Sequence, residues 1–285
     1  MTALPQHFLW SAPLRFRLRA RLRKTVLAQR FHEAGWPLRS DALLLSFPKA
    51  GRTWLRVMLG QAMSEHFGIC DADLFKLDRM GDPARGIPRI KIKHDDNPQL
   101  KVPEELVPNK SEYRGVKVVY LVRDIRDLAV SNYFEFTRRR GQEDRGLPAY
   151  LRSRRGSVDT MIRHYNIWAA NRHVPADFHL VRYEDLHADG AACLSDLLEF
   201  LGIRNVADST VRRAIEFASF GNMRHMEESG SVQHRRLRAM DPSDPETYKT
   251  RRGKVAGYRD YLSSADIDLL DGKIRSELDP FYGYA

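Results

Sequence analysis

The chain has 285 residues, 42% apolar and 29% charged, which suits one large soluble domain and excludes bulk disorder. No stretch approaches the roughly 18 uncharged apolar residues of a membrane helix, and the apolar run Phe8-Leu9-Trp10 is too short for a signal peptide. The formal charge is +10, but residues 1–32 hold seven Lys/Arg and no acid, so the remainder carries only 10 − 7 = +3, too little for a dedicated nucleic-acid binder.

Residues 1–40 read as a basic N-terminal arm and 41–285 as a single domain. Within the arm, residues 14–23 alternate apolar side chains with arginine, while Leu14, Leu18, Leu22 and Val26 also fall on one helical face. Three readings stay open for it: peripheral contact with an anionic membrane surface, a grip on an acidic polymer, or a helix laid on the body with its arginines in water. After the arm, Asp41 to Phe47 (DALLLSF) is a short buried strand, broken by Pro48 to Thr53. From Trp54, Leu55, Met58, Leu59 and Ala62 recur at helical spacing. A polar stretch from Asp71 to Pro88 leads to a strand over Arg89 to Lys93. Lys117 to Val122 (KVVYLV) is a second apolar strand, running into a helix with Ile125, Leu128, Ala129, Asn132, Tyr133 and Phe136 on one face.

Further helices are expected over Val158 to His173, Ala191 to Leu201, Ser209 to Ala218 and Ser264 to Leu278, with a strand over Phe178 to Val181. Residues 225–250 are polar, carry two Asp-Pro pairs and read as a long mobile loop. Apolar strands alternating with helices predict an α/β fold: a P-loop-like central parallel sheet flanked by helices on both faces. The two cysteines, Cys70 and Cys193, lie far apart and form neither a disulfide framework nor a metal box, so no metal site is expected and a reducing cytoplasm is the expected location.

Chemistry concentrates in Ser46-Phe47-Pro48-Lys49-Ala50-Gly51-Arg52-Thr53-Trp54. A strand that feeds a helix through a turn with Lys, Gly and Thr is an anion site: helix-start amides face the ligand and the lysine adds charge. The GxxxxGK[ST] pattern of nucleotide triphosphatases is absent, which argues against a P-loop kinase.

This segment resembles the 5′-phosphosulfate loop of the cytosolic-type sulfotransferases that use 3′-phosphoadenosine 5′-phosphosulfate (PAPS), commonly a form of Y-P-K-S-G-T-T-W. Arg123 to Ser131 (RDIRDLAVS) is similar to the family's 3′-phosphate motif, and Arg182-Tyr183-Glu184-Asp185 to its turn near the adenine. Ser219-Phe220 with Met223 is similar to a further nucleotide-contacting stretch, and Arg251-Arg252-Gly253 to the loop that closes on the 3′-phosphate. Five elements in family order over residues 42–285 make the resemblance specific. It implies a sulfotransferase domain with Lys49, Ala50, Gly51, Arg52, Thr53, Trp54, Arg123, Ser131, Tyr183, Ser219, Phe220, Met223, Arg251, Arg252 and Gly253 on the nucleotide.

The resemblance also implies that His94, ending the run Arg89-Ile90-Lys91-Ile92-Lys93, is the base and that Lys49 stabilises charge on the bridging oxygen. A histidine suits the role because its ordinary pKa lies near neutrality. Ala50 and Arg52 depart from the usual serine and threonine of the loop, and Ile92 from a lysine two residues before the histidine. The acceptor, a small molecule, lipid or saccharide with a hydroxyl or amine, is expected among loops 71–88, 138–157 and 225–250. Arg138, Arg139, Arg140, Arg152, Arg154 and Arg155 suit either an anionic acceptor or a solvated basic face.

Overall fold

The computed structural model describes residues 40–230 and 237–284. The basic arm, apart from Ser40, lies outside them, as do residues 231–236. At the centre is a parallel sheet of β1 (Ala42–Ser46), β2 (Ile90–Lys93), β3 (Lys117–Val122) and β4 (Asp177–Arg182), in the order β2-β1-β3-β4. Every residue of β1 and all but the first of β3 are buried. Successive side chains of a strand point to opposite faces, so burial of each one means that both faces are covered.

The connections are helical: α1 (Arg52–Phe67) and the short α2 (Leu77–Met80) precede β2, and α3 (Ile125–Phe134), α4 (Leu147–Leu151) and α5 (Val158–Asn171) separate β3 from β4. After β4 come α6 (Tyr183–Ala188), α7 (Gly190–Phe200), α8 (Asp208–Phe217), α9 (Phe220–Ser229) and α10 (Ser264–Glu277). The core is aromatic where β3 meets α5: Trp168 stacks on Tyr120 at 5.4 Å between ring centroids, and both are fully buried.

Two expectations need correction. The helix after β3 does not run unbroken to Phe136; at Glu135 it widens into a π-turn, Glu135–Arg139. Such a turn re-aims side chains and is frequent at functional sites. Residues 225–250 are also not one loop. Residues 225–229 complete α9, and the far end is tied to it because the buried Glu227 carboxylate accepts from the amides of Lys249 (2.6 Å) and Thr250 (2.8 Å). Tyr248 and Thr247 are buried beside it. Polarity suggested solvent exposure here, but a buried carboxylate needs donors and this segment supplies them.

Candidate active site

In a parallel sheet the strands all point one way, so their C-terminal ends form one edge, where ligands bind in such folds. β1 ends into the loop at Pro48, β2 into His94, β3 into Arg123 and β4 into Tyr183. The register aligns the first three: Leu45 pairs with Lys93 on one side and Tyr120 on the other, which sets these ends level. Around this edge lies a cavity of about 450 Å³.

The loop after β1 is bent by Lys49 and Gly51, both at positive φ (76° and 98°). Gly51 caps α1, whose first amides have no partner within the helix, and the positive end of the helix dipole faces the cavity edge. Only glycine fits there, since a Cβ would stand 2.6 Å from the Tyr183 ring. Trp54 donates to the Ala218 carbonyl at 2.8 Å, and its ring meets His187 at 4.6 Å and Tyr183 at 5.5 Å.

Lys49 Nζ lies 2.9 Å from Glu135 on the π-turn, with both side chains largely buried. Burial, and next the neighbouring Lys249, hold the Lys49 ammonium well below its ordinary pKa. Burial works to raise Glu135, but Lys49 and Lys249 outweigh it and keep the carboxylate below its usual range.

His94 is partly buried. Its Nδ1 faces the Ser46 carbonyl at 3.1 Å and its Nε2 faces the Arg52 guanidinium, whose Nη1 donates to Lys93 O at 2.7 Å. Burial first, then Arg52, push His94 down to about 2. The neighbouring Asp95 is not a rival base, because it is 1% exposed and fully committed. It accepts from Lys110 (2.6 Å), Tyr113 (2.5 Å) and Trp168 (3.0 Å). Asp96 is likewise engaged by Lys101 and the Val107 amide.

Arg123 lays its guanidinium over Tyr183 at 4.2 Å and sits 3.4 Å from Asp127, yet its buried Nε has no hydrogen-bond partner. Ser131, two turns along α3, lines the same cavity. Arg251 and Arg252 reach it while braced by Glu246 and Tyr261. Gly253, at φ 60°, lets the backbone pass directly under the Phe220 ring, where a Cβ would collide.

Of the residues expected on the nucleotide, thirteen line the cavity and two do not. Ala50 is fully buried beneath the loop, and the Ser219 hydroxyl caps α9 by accepting from the Asn222 amide at 3.4 Å. Sequence reasoning missed Glu135, His187 and Lys249, all in the cavity wall. His187 was within reach of it, four residues after Tyr183 on one helix face. The six arginines separate: only Arg140 lines the cavity. Arg139 is buried against Glu135 and Glu227, Arg138, Arg154 and Arg155 pair with carboxylates on the surface, and Arg152 pairs with the buried Asp266.

A parallel sheet with a glycine-capped strand-to-helix loop at its edge, an arginine whose buried Nε is unsatisfied, and a wall of aromatic rings fit a phosphorylated nucleotide. The family model described as sulfotransferase domain matches residues 39–281, and the chain belongs to that family: it is a PAPS-dependent sulfotransferase. It is 24% identical over 276 residues to cytosolic sulfotransferase 17 of Arabidopsis thaliana, covering 86% of this chain and 75% of that protein. With sulfotransferase 1A1 of Bos taurus it shares 28% over 222 residues, 70% of this chain and 72% of the other. The fold is similar to mouse sulfotransferase SULT7A1 complexed with PAP (TM-score 0.58, 21% identity, 86% and 88% of the two chains). It is also similar to retinol dehydratase in a complex with retinol and PAP (TM-score 0.59, 19% identity, 87% and 85%). Among the described residues, no helix is long and apolar enough to cross a membrane.

Proposed function

We propose that His94 is the base and Lys49 the charge stabiliser of sulfuryl transfer to a hydroxyl or amine of a small-molecule or saccharide acceptor. The observation that carries this reading is the convergence of four strand ends on one cavity, bringing Lys49, Gly51, His94, Arg123 and Tyr183 together. PAPS supplies an activated sulfuryl group on a 5′-phosphate. Arg123, Ser131, Arg251 and Arg252 would hold the 3′-phosphate, and Trp54, Tyr183, His187 and Phe220 the adenine. The amides of the α1 start, with Lys49, would hold the phosphosulfate. In-line transfer of this kind depends mainly on positioning and charge stabilisation.

Lys49 has a further partner in Glu135, which keeps its ammonium at the cavity wall. Lys49→Ala is expected to lower the transfer rate by about 10²–10³, the usual cost of one charge stabiliser. Product formation from radiolabelled PAPS across an acceptor panel measures it, and a near wild-type rate refutes the assignment.

A further inference from the structure

A carbonyl only accepts, so the contact between His94 Nδ1 and Ser46 O places the proton on Nδ1. The lone pair is then on Nε2, and Arg52 Nη2 donates into it. An arginine does not surrender its proton, so a lone pair engaged in this way is closed to the proton of an acceptor. The other groups facing His94 reinforce this: Lys249 from the segment before Arg251, and His164 of α5, both oppose a positive imidazole. Lys49 and Glu135 share the cavity but are paired with each other. His94 in this arrangement is oriented as a base and blocked as one.

The blocking residue is also the first residue of α1, next to the Gly51 cap in the anion loop. The acceptor it engages on His94 is a neutral ring nitrogen. Charge-assisted arginine–phosphate bonds are roughly twice as strong as neutral ones, and the helix start draws an anion to this position. We propose that Arg52 is a positioning residue that couples the base to the donor: it fixes the His94 tautomer and moves from Nε2 to a phosphate at the loop. The lone pair is thereby opened only when the 5′ end of the nucleotide is in place. The inference rests on the reading of His94 as the base. A threonine at position 52, as the loop usually has, offers a hydroxyl to the phosphate but no cation to His94.

The test is a ring-nitrogen NMR measurement at neutral pH on the full chain labelled at histidine, with the His94 signals assigned through His94→Gln. Spectra are recorded for the protein alone, with saturating PAP, and with saturating adenosine 3′-phosphate, which lacks the 5′-phosphate. PAP is expected to move the His94 Nε2 resonance toward that of an imidazole lone pair without a hydrogen bond, and adenosine 3′-phosphate to leave it unmoved. In Arg52→Thr, the Nε2 resonance without nucleotide is expected to stand already at the position that PAP produces in the wild type. A wild-type His94 that responds alike to both nucleotides overturns the coupling, and this comparison stands even where the variant fails to fold. Equal Nε2 resonances in the wild type and a folded Arg52→Thr also overturn it. Turnover by His94→Gln is read separately: an active variant overturns the base assignment, whereas an unmoved Nε2 resonance overturns only the coupling.

Discussion

Mild acid is expected to destabilise this protein through two histidines that are neutral in the fold. His164 of α5 is buried, accepts or donates at Nδ1 with the Tyr120 hydroxyl (2.8 Å), and has Nε2 4.0 Å from Asp95. Burial, opposed in part by Asp95, pushes it down to about 4. Because the folded pKa lies below the unfolded value near 6.5, the stability is complete above pH 6.5 and is lost as pH falls toward the folded pKa. At about pH 5 the loss is 1.36 × (6.5 − 5), or about 2 kcal/mol for His164. His94, held lower still, adds about the same, for a total near 4 kcal/mol. Asp95 and Glu135, both held below the ordinary carboxylate pKa, stay ionised through this window. The total is a large part of the roughly 5–15 kcal/mol by which domains are stable. Urea unfolding followed by tryptophan fluorescence at about pH 7 and pH 5 measures the loss. His164→Gln is expected to reduce the pH dependence by about 2 kcal/mol, whatever its own stability at neutral pH. An unchanged pH dependence in that variant would refute the argument.

Three further expectations concern the site and its support. Gly51→Ala meets both a left-handed backbone and the Tyr183 ring, so it should weaken PAP binding by calorimetry while the bulk of the fold, read by circular dichroism, persists. Arg123→Ala should weaken PAP far more than adenosine 5′-phosphosulfate, which lacks the 3′-phosphate; equal losses would make Arg123 structural through Asp127. Lys110→Met leaves the Asp95 carboxylate buried without its cation and should cost about 3–5 kcal/mol in urea unfolding. Adding Asp95→Asn to that variant is expected to recover part of the loss.

Much of the site was legible in the sequence because its parts are local. The run DALLLSF gives a buried strand, Pro48 to Thr53 a strand-to-helix loop, and KVVYLV followed by Arg123 a strand that ends on a cation. Each of these depends on neighbours a few residues away, and chemistry at that range is written in the chain. His94 could be located by its place after a strand, but its state could not. The lone pair it presents is governed by Arg52, on another element and 42 residues away.

Glu135 and Lys249 were missed for the same reason. They face Lys49 only because a π-turn and a segment pinned by buried Glu227 bring residues 49, 135 and 249 together. Ser219 shows the reverse case: a motif residue whose hydroxyl the fold uses as a helix cap. The sequence by itself determined the strands, the strand-to-helix loop at Pro48 to Thr53 and several of the segments that line the cavity, since periodicity and turn chemistry act over a few residues. Only the tertiary structure decided the sheet order β2-β1-β3-β4, the pairing of Lys49 with Glu135 and the capping of His94 by Arg52, since burial and charge act through space between residues far apart in the chain.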